Sequence, residues 1–278
     1  MDSRAIYSIA KKEFMDNWRN KWVLAVSAIF LILTLVISYF GSMGAGGAGW
    51  RDLDATIVGM ITLVTLLVPI IGLMLGYAAI VGEKERGSME TLLSYPVSRM
   101  EVLAGKFLGL GAVLSVATLI GFGVSGLVIG ASVRGVQWGD YAIFILASML
   151  IGLVFIAISM FFSSIFKKRS TAMGGAVFLW FLFEMIWNIV IAGVLTAQYG
   201  ISKLTDPDFM APNWYYVATL LNPVKAYSVL VSFHIPSVGD LAGNVPSFVN
   251  TPFTIAVLFS WLAGMLLLTY YMFNKKDL

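Results

Sequence analysis

Side chains able to do chemistry are scarce in this sequence, and their positions narrow what chemistry remains. Glu184 is the most unusual, standing near the middle of the apolar run Phe181-Leu182-Phe183-Glu184-Met185-Ile186-Trp187-Asn188. At the centre of a membrane span a carboxylate costs about 2.5–3.5 kcal/mol even on lenient insertion scales, so it must face protein or water. Asn188 follows one helical turn later, on the same face, where it can hydrogen-bond to Glu184. Two roles fit: a substrate- or proton-contacting group in a central cavity, or a bond between helices. The other carboxylate pairs are Glu83 with Glu85, Asp52 with Asp54, and Asp206 with Asp208, near the ends of apolar runs or in polar loops. Glu83 and Glu85 are two residues apart, point to different sides of a helix, and so do not share a proton. His234 is the single histidine and cysteine is absent, which excludes His clusters, thiolate metal sites, disulfides and cysteine nucleophiles within one chain. The 14 methionines are spread through apolar runs, as packing residues are, rather than grouped as a soft-metal relay. No G-x-x-x-x-G-K-[ST] phosphate loop occurs, so ATP is not bound by that route.

The elements that carry these groups belong to a membrane protein. Apolar residues make up 59% of the 278 and charged ones only 12%, against about 25% charged in an ordinary soluble domain. Crossing a hydrocarbon core about 30 Å thick takes roughly 20 helical residues. Six runs are long enough: Trp22 to Phe40, Ile57 to Val81, Phe107 to Ala131, Tyr141 to Phe166, Ala172 to Val194, and Phe253 to Phe273. Backbone polar groups inside lipid must be satisfied within their own segment, so each run is predicted to be a helix. The expected fold is all-α, one transmembrane domain over residues 1–278. No cleavable leader is expected, since the first apolar run is long enough to span.

With six spans, both termini share a side. That side receives Arg4, Lys11, Lys12, Arg19, Lys21, Lys84, Arg86, Arg99, Lys106, Lys167, Lys168, Arg169, Lys275 and Lys276, which is 14 of the 18 basic residues. Only Arg51, Arg134, Lys203 and Lys225 fall opposite. By the positive-inside rule the termini are predicted to be cytoplasmic, in an inner membrane.

Between the second and third runs lies Gly82-Glu83-Lys84-Glu85-Arg86-Gly87-Ser88-Met89-Glu90-Thr91-Leu92-Leu93-Ser94-Tyr95-Pro96-Val97-Ser98-Arg99. Two acids and two bases crowd into four residues, Gly87 breaks the chain, and a short Met89, Leu92 and Leu93 face follows. Pro96 ends that element. Ser98 then stands three residues before Glu101, a capping box, with Val97 and Val102 at staple spacing. The pattern predicts a small helix along the membrane surface and a sharp corner into the next span.

Two further segments complete the frame. Ile6, Ala10, Phe14, Trp18 and Trp22 recur every four residues among Lys11, Lys12, Asp16 and Arg19, which predicts an amphipathic interfacial helix or a simple basic anchor. Gln198 to Pro252 is long for a connection and holds Trp214 to Leu221, Asn222-Pro223, then Val224 to Phe233. Each half is too short to span, and the central Pro disfavours one continuous helix. Two short helices in or on the outer leaflet are expected. Gly41 to Trp50, rich in Gly, Ala and Ser, is expected to be flexible. Gly72/Gly76, Gly105/Gly109 and Gly126/Gly130 are pairs that permit close helix approach.

In this order of elements the sequence resembles the type-2 ABC exporter permease family. The resemblance covers nearly the whole chain and is most specific between Glu83 and Lys106. Arg19-Asn20-Lys21-Trp22, Tyr77-Ala78-Ala79-Ile80-Val81-Gly82-Glu83, Gly105-Lys106-Phe107 and Leu220-Leu221-Asn222-Pro223 are similar to the NosY-like permeases of the nitrous-oxide-reductase maturation system. The resemblance implies a homodimer bound to two separate ATP-binding subunits, which carry the ATP and Mg, while this chain holds no cofactor. Ser88 to Tyr95 would be the helix seated on the ATPase, giving Glu83, Glu85, Arg86, Ser88, Met89, Glu90, Leu92, Leu93 and Arg99 as coupling residues. In that subgroup an extracytoplasmic β-helical protein docks outside, which points to Trp214, Asn222 and Pro223 as its contacts. The cycle would drive rearrangement of that partner in copper-site maturation, or export; no nucleic-acid partner is expected. The alternative is an ion-coupled secondary transporter or channel centred on Glu184, needing no ATPase. A membrane-embedded enzyme lacks a His/Asp/Ser constellation.

Overall fold

The computed structural model describes residues 2–19, 21–41, 53–132, 138–206, 209–234 and 246–275. Residues 42–50, expected to be flexible, and the carboxylates Asp52 and Asp208 lie outside them. All regular elements among the described residues are helical. Helix α1 (Ser3–Arg19) runs into α2 (Trp22–Gly41) through a 64° bend, where Lys21 takes a positive φ of 56°. Next come α3 (Leu53–Gly76), the short α4 (Val81–Glu85) and α5 (Ser88–Leu93), then the long α6 (Arg99–Ser132) and α7 (Trp138–Ile165). The fifth span is composite, α8 (Arg169–Phe181), a π turn (Leu182–Ile186) and α9 (Trp187–Tyr199). It is followed by α10 (Ile201–Leu204), α11 (Asn213–Leu220), α12 (Pro223–Ser232) and α13 (Thr251–Lys275).

Five of the described helical stretches are long and apolar enough to cross a membrane: Gly59–Glu85, Arg99–Val128, Trp138–Ile165, Arg169–Tyr199 and Thr251–Lys275. A sixth is reached when the bent α1–α2 pair is counted as one crossing; α2 itself has 20 residues, about 30 Å at 1.5 Å per residue. The third spanning helix starts ahead of the apolar run that begins at Phe107. It begins at Arg99, because the Ser98 capping box starts the span itself: the Glu101 amide donates to Ser98 Oγ at 3.2 Å and the Ser98 amide to Glu101 Oε2 at 2.8 Å. At 34 residues α6 is about 51 Å long, more than the hydrocarbon core needs.

Helix α7 is the axis of the bundle, burying Ile151, Val154, Phe155, Ile156 and Ile158. Gly72 and Gly76 let α3 lie directly on it. A Cβ on Gly76 would stand 2.8 Å from Ser159 Cβ and 3.0 Å from the Ile156 carbonyl. Just beyond, α3 ends in a turn over residues 77–80 inside what hydropathy reads as one span. Broken helices survive in lipid only where neighbours satisfy the freed backbone. Two serines one turn apart on α7 do so: Ser159 donates to the Leu73 carbonyl at 2.7 Å, and Ser163 Oγ accepts from the Ile80 and Val81 amides at 3.0 Å.

The short pair after the fifth span is formed as expected, split at Asn222-Pro223, but α12 does not rest on a surface. Pro223, Val224, Ala226, Tyr227, Leu230 and Val231 are buried. The Tyr227 hydroxyl lies 3.1 Å from Ser148 Oγ, ten residues into α7 and therefore about 15 Å along it. The helix dips into the bundle.

Candidate coupling surface and cavity

Four segments separated in sequence converge at one end of the bundle. Lys106 of α6 is fully buried, its side chain 2% exposed, and its ammonium lies 2.5 Å from Glu13 Oε1 of α1 and 2.6 Å from Glu83 Oε1 of α4. Lys12 adds a second, exposed cation 3.7 Å from Glu83. The approach of α1 is set by Gly105 and Gly109: a Cβ on Gly105 would stand 2.7 Å from Ile9 Cβ, and one on Gly109 2.6 Å from the Ala10 carbonyl. Helix α1 is therefore packed and ion-paired onto α6, beyond what a loose basic anchor would show.

The rest of the charged stretch is equally committed. Glu85 Oε1 accepts the Arg169 amide at 2.9 Å, and Glu85 Oε2 lies 2.7 Å from Arg169 Nε, while Arg169 Nη2 donates to the Gly82 carbonyl at 2.9 Å. Arg99 donates to the Phe273 and Asn274 carbonyls at the end of α13, where a cation favours the helix dipole, and its guanidinium lies over the Phe273 ring with a 5.4 Å centroid distance. Lys84 faces the same ring. These contacts bring α1, the 83–106 stretch, the start of α8 and the end of α13 to one side, the side to which sequence counting assigns 14 basic residues.

Gly87 takes φ +72° and turns the chain from α4 into α5. Met89 then points inward at 1% exposed, and Leu92 is half-buried against the core. Met89 and Leu92 of the apolar face read from the sequence thus hold α5 to its own protein. The surface left open is polar, with Glu85, Arg86, Ser88, Glu90 and Ser94 exposed, and Tyr95 exposed at 63%. Tyr95 closes the Ser88-to-Tyr95 stretch that the family resemblance pointed to, just before Pro96.

Towards the other end, span five, α3, α11 and α12 surround a cavity of about 680 Å³. Glu184 lies in the π turn, a local widening of the helix that recurs at functional sites. Its Oε1 is buried without a hydrogen-bond partner. Asn188 does bond to Glu184, but to the backbone: Nδ2 donates to the Glu184 carbonyl at 2.8 Å, leaving the carboxylate to the cavity. Lys225 of α12, which sequence reading treated only as a loop charge, lines the same cavity.

Asn222 and Pro223, expected at an outer surface, are buried. Asn222 accepts the Val224 amide at 2.9 Å as the cap of α12 and donates to the Phe183 carbonyl inside the π turn at 2.7 Å. Its amide is committed to the widened helix and to the start of α12. Trp214 is half-buried, edge-on to Tyr215. Asn222→Ala is expected to lose about 1–3 kcal/mol by stranding that carbonyl and uncapping α12, read as a lower unfolding temperature.

Residues 7–278 match the sequence model of the ABC-2 family transporter protein. The chain belongs to the ABC-2 transporter family. It is 35% identical over 279 residues to "Probable ABC transporter permease protein NosY" of Stutzerimonas stutzeri, covering 98% of each chain. Against the protein of the same name from Pseudomonas aeruginosa it is 35% identical over 283 residues, covering 98% of this chain and 99% of the relative. Within the ABC-2 family it is a NosY-like, multi-pass membrane permease.

Proposed function

We propose that this permease converts ATP hydrolysis on two separate ATP-binding subunits into motion of its own helices, as one half of a homodimer. The observation that carries the reading is the clamped end of the bundle, where α5 is backed by buried Met89 and the adjoining α4 is held to α6 and α1 through the Lys106 pairs. A stroke delivered to the exposed Ser88, Glu90 and Tyr95 surface reaches α6 and α1 as one body. Glu85 and Arg99 extend it to α8 and α13. ATP and Mg belong to the partner subunits, and this chain is a permease rather than an enzyme.

The output is a change at the opposite end, where α12 dips into the bundle beside α11. There the permease drives rearrangement of an extracytoplasmic β-helical partner in copper-site maturation of nitrous oxide reductase. With no cysteine and one histidine in the chain, mechanical action on the partner is favoured over passing copper through the permease. Membership of an ATP-driven transporter family weighs against an ion-coupled carrier centred on Glu184.

Orientation is tested first, using the native absence of cysteine. Ser88→Cys and Ser202→Cys, both at exposed positions, are expected to label from opposite sides with an impermeant maleimide, Ser202→Cys alone in intact cells. Labelling of Ser88→Cys from outside would overturn the coupling assignment. Co-purification of the ATP-binding subunit with the wild-type permease, and its ATPase activity in that complex, tests the remainder.

A further inference from the structure

Two opposite charges face one cavity without closing on each other. Glu184 projects from span five and Lys225 from α12, and both line the 680 Å³ space. Yet the ion pairs of Lys12, Lys106 and Arg169 go to Glu83, Glu13 and Glu85 at the clamped end, and none of these involves either cavity charge. Two lining atoms, Glu184 Oε1 and Thr219 Oγ1, are buried and unpartnered. Buried polar atoms in native proteins find partners, and a carboxylate oxygen and a hydroxyl left without one on the walls of the same cavity point to an occupant.

Charge complementarity selects the occupant. A lone anion drawn to Lys225 is repelled by Glu184, and a lone cation the reverse, whereas a molecule charged at both ends satisfies both walls. The volume lies in the range of small-molecule sites. Glu184 is fifteen residues along span five from Arg169, about 22 Å from the clamped end. The site is therefore reached from the far half of the bundle, by its leaflet or its aqueous side.

We propose that this cavity binds a small zwitterion, its amine at Glu184 and its anionic oxygen group at Lys225, with Thr219 and Asn188 as neutral hydrogen-bonding partners. The site lies within one protomer and does not depend on ATP coupling, so it stands or falls separately from the reading above.

The full-length chain is placed in nanodiscs of phosphatidylglycerol and titrated with glycerophosphoethanolamine, glycerophosphate or ethanolamine, following tryptophan fluorescence, since Trp187 lines the cavity. The zwitterion is expected to bind at least about tenfold more tightly than either half-molecule, a 1.4 kcal/mol difference. Glu184→Gln and Lys225→Met should each remove that advantage, and the swap Glu184→Lys with Lys225→Glu should restore it, because a reversed ligand fits reversed charges. Nanodiscs of phosphatidylethanolamine separate the sources. If the natural ligand is a lipid headgroup, the protein melts higher in them and added glycerophosphoethanolamine has no further effect; if it is a free molecule, the titration matches that in phosphatidylglycerol. Should glycerophosphate bind as tightly as the zwitterion, or should neither the titration nor the lipid exchange register, the proposal fails. The wild-type comparison decides this even where a variant does not fold.

Discussion

Lys106→Met is expected to destabilise the permease by about 3–5 kcal/mol, the range for breaking a buried pair by removing one partner. Methionine fills much of the lysine volume, so packing is nearly kept while Glu13 and Glu83 lose the ammonium they share. Two carboxylates left together in a largely buried site repel each other, and α1 is pushed away from α4. The measurement is thermal unfolding of the purified protein in detergent, alongside its yield from membranes. Adding Glu13→Gln and Glu83→Gln to Lys106→Met should recover most of the loss, because the penalty comes from stranded charge rather than lost volume. A single variant that melts with the wild type would show that the cluster holds nothing in place.

The second large effect is expected at the open surface of α5. Tyr95→Asp should weaken binding of the ATP-binding subunit by about thirtyfold, since an exposed aromatic at an interface centre is commonly worth 2 kcal/mol or more. The fold should survive, because the Tyr95 side chain is mostly in solvent. Met89→Asp provides the contrast: it puts a charge into a position that is 1% exposed and should lower the melting temperature whether or not a partner is present. Co-purification and melting temperature measured together separate contact from scaffold. If Tyr95→Asp retains the partner subunit at wild-type stoichiometry and affinity, the docking surface is elsewhere, with the exposed Tyr7 face of α1 the next to test.

What could be read from the sequence was whatever depends on near neighbours. A span is recognised from about 20 consecutive apolar residues because the bilayer thickness is constant. The Ser98 box was legible because its two bonds join residues three apart, and the break between α11 and α12 because Pro223 lacks an amide. The spacing of Gly105 and Gly109 marked a face for close approach without saying that α1 would occupy it. Glu184 drew attention as a charge in an apolar run, but hydropathy carries no sign of the π turn that aims it.

The sequence by itself therefore determined an all-helical membrane permease, its approximate spans, its charged corner and its family. Tertiary structure alone decided which charges meet. Lys106 joins carboxylates 93 and 23 residues away, and Asn222 reaches a carbonyl 39 residues back. Ser163 closes a helix break 83 residues upstream. Such partners are chosen by the packing of whole helices, whose relative rotation and depth no local pattern encodes. Burial then reversed the meaning of some residues: Met89 and Asn222 read as surface contacts because one is apolar on a short exposed-looking helix and the other polar in a loop. Each is turned inward by a neighbouring helix that covers an apolar stripe or supplies a carbonyl in need of a donor.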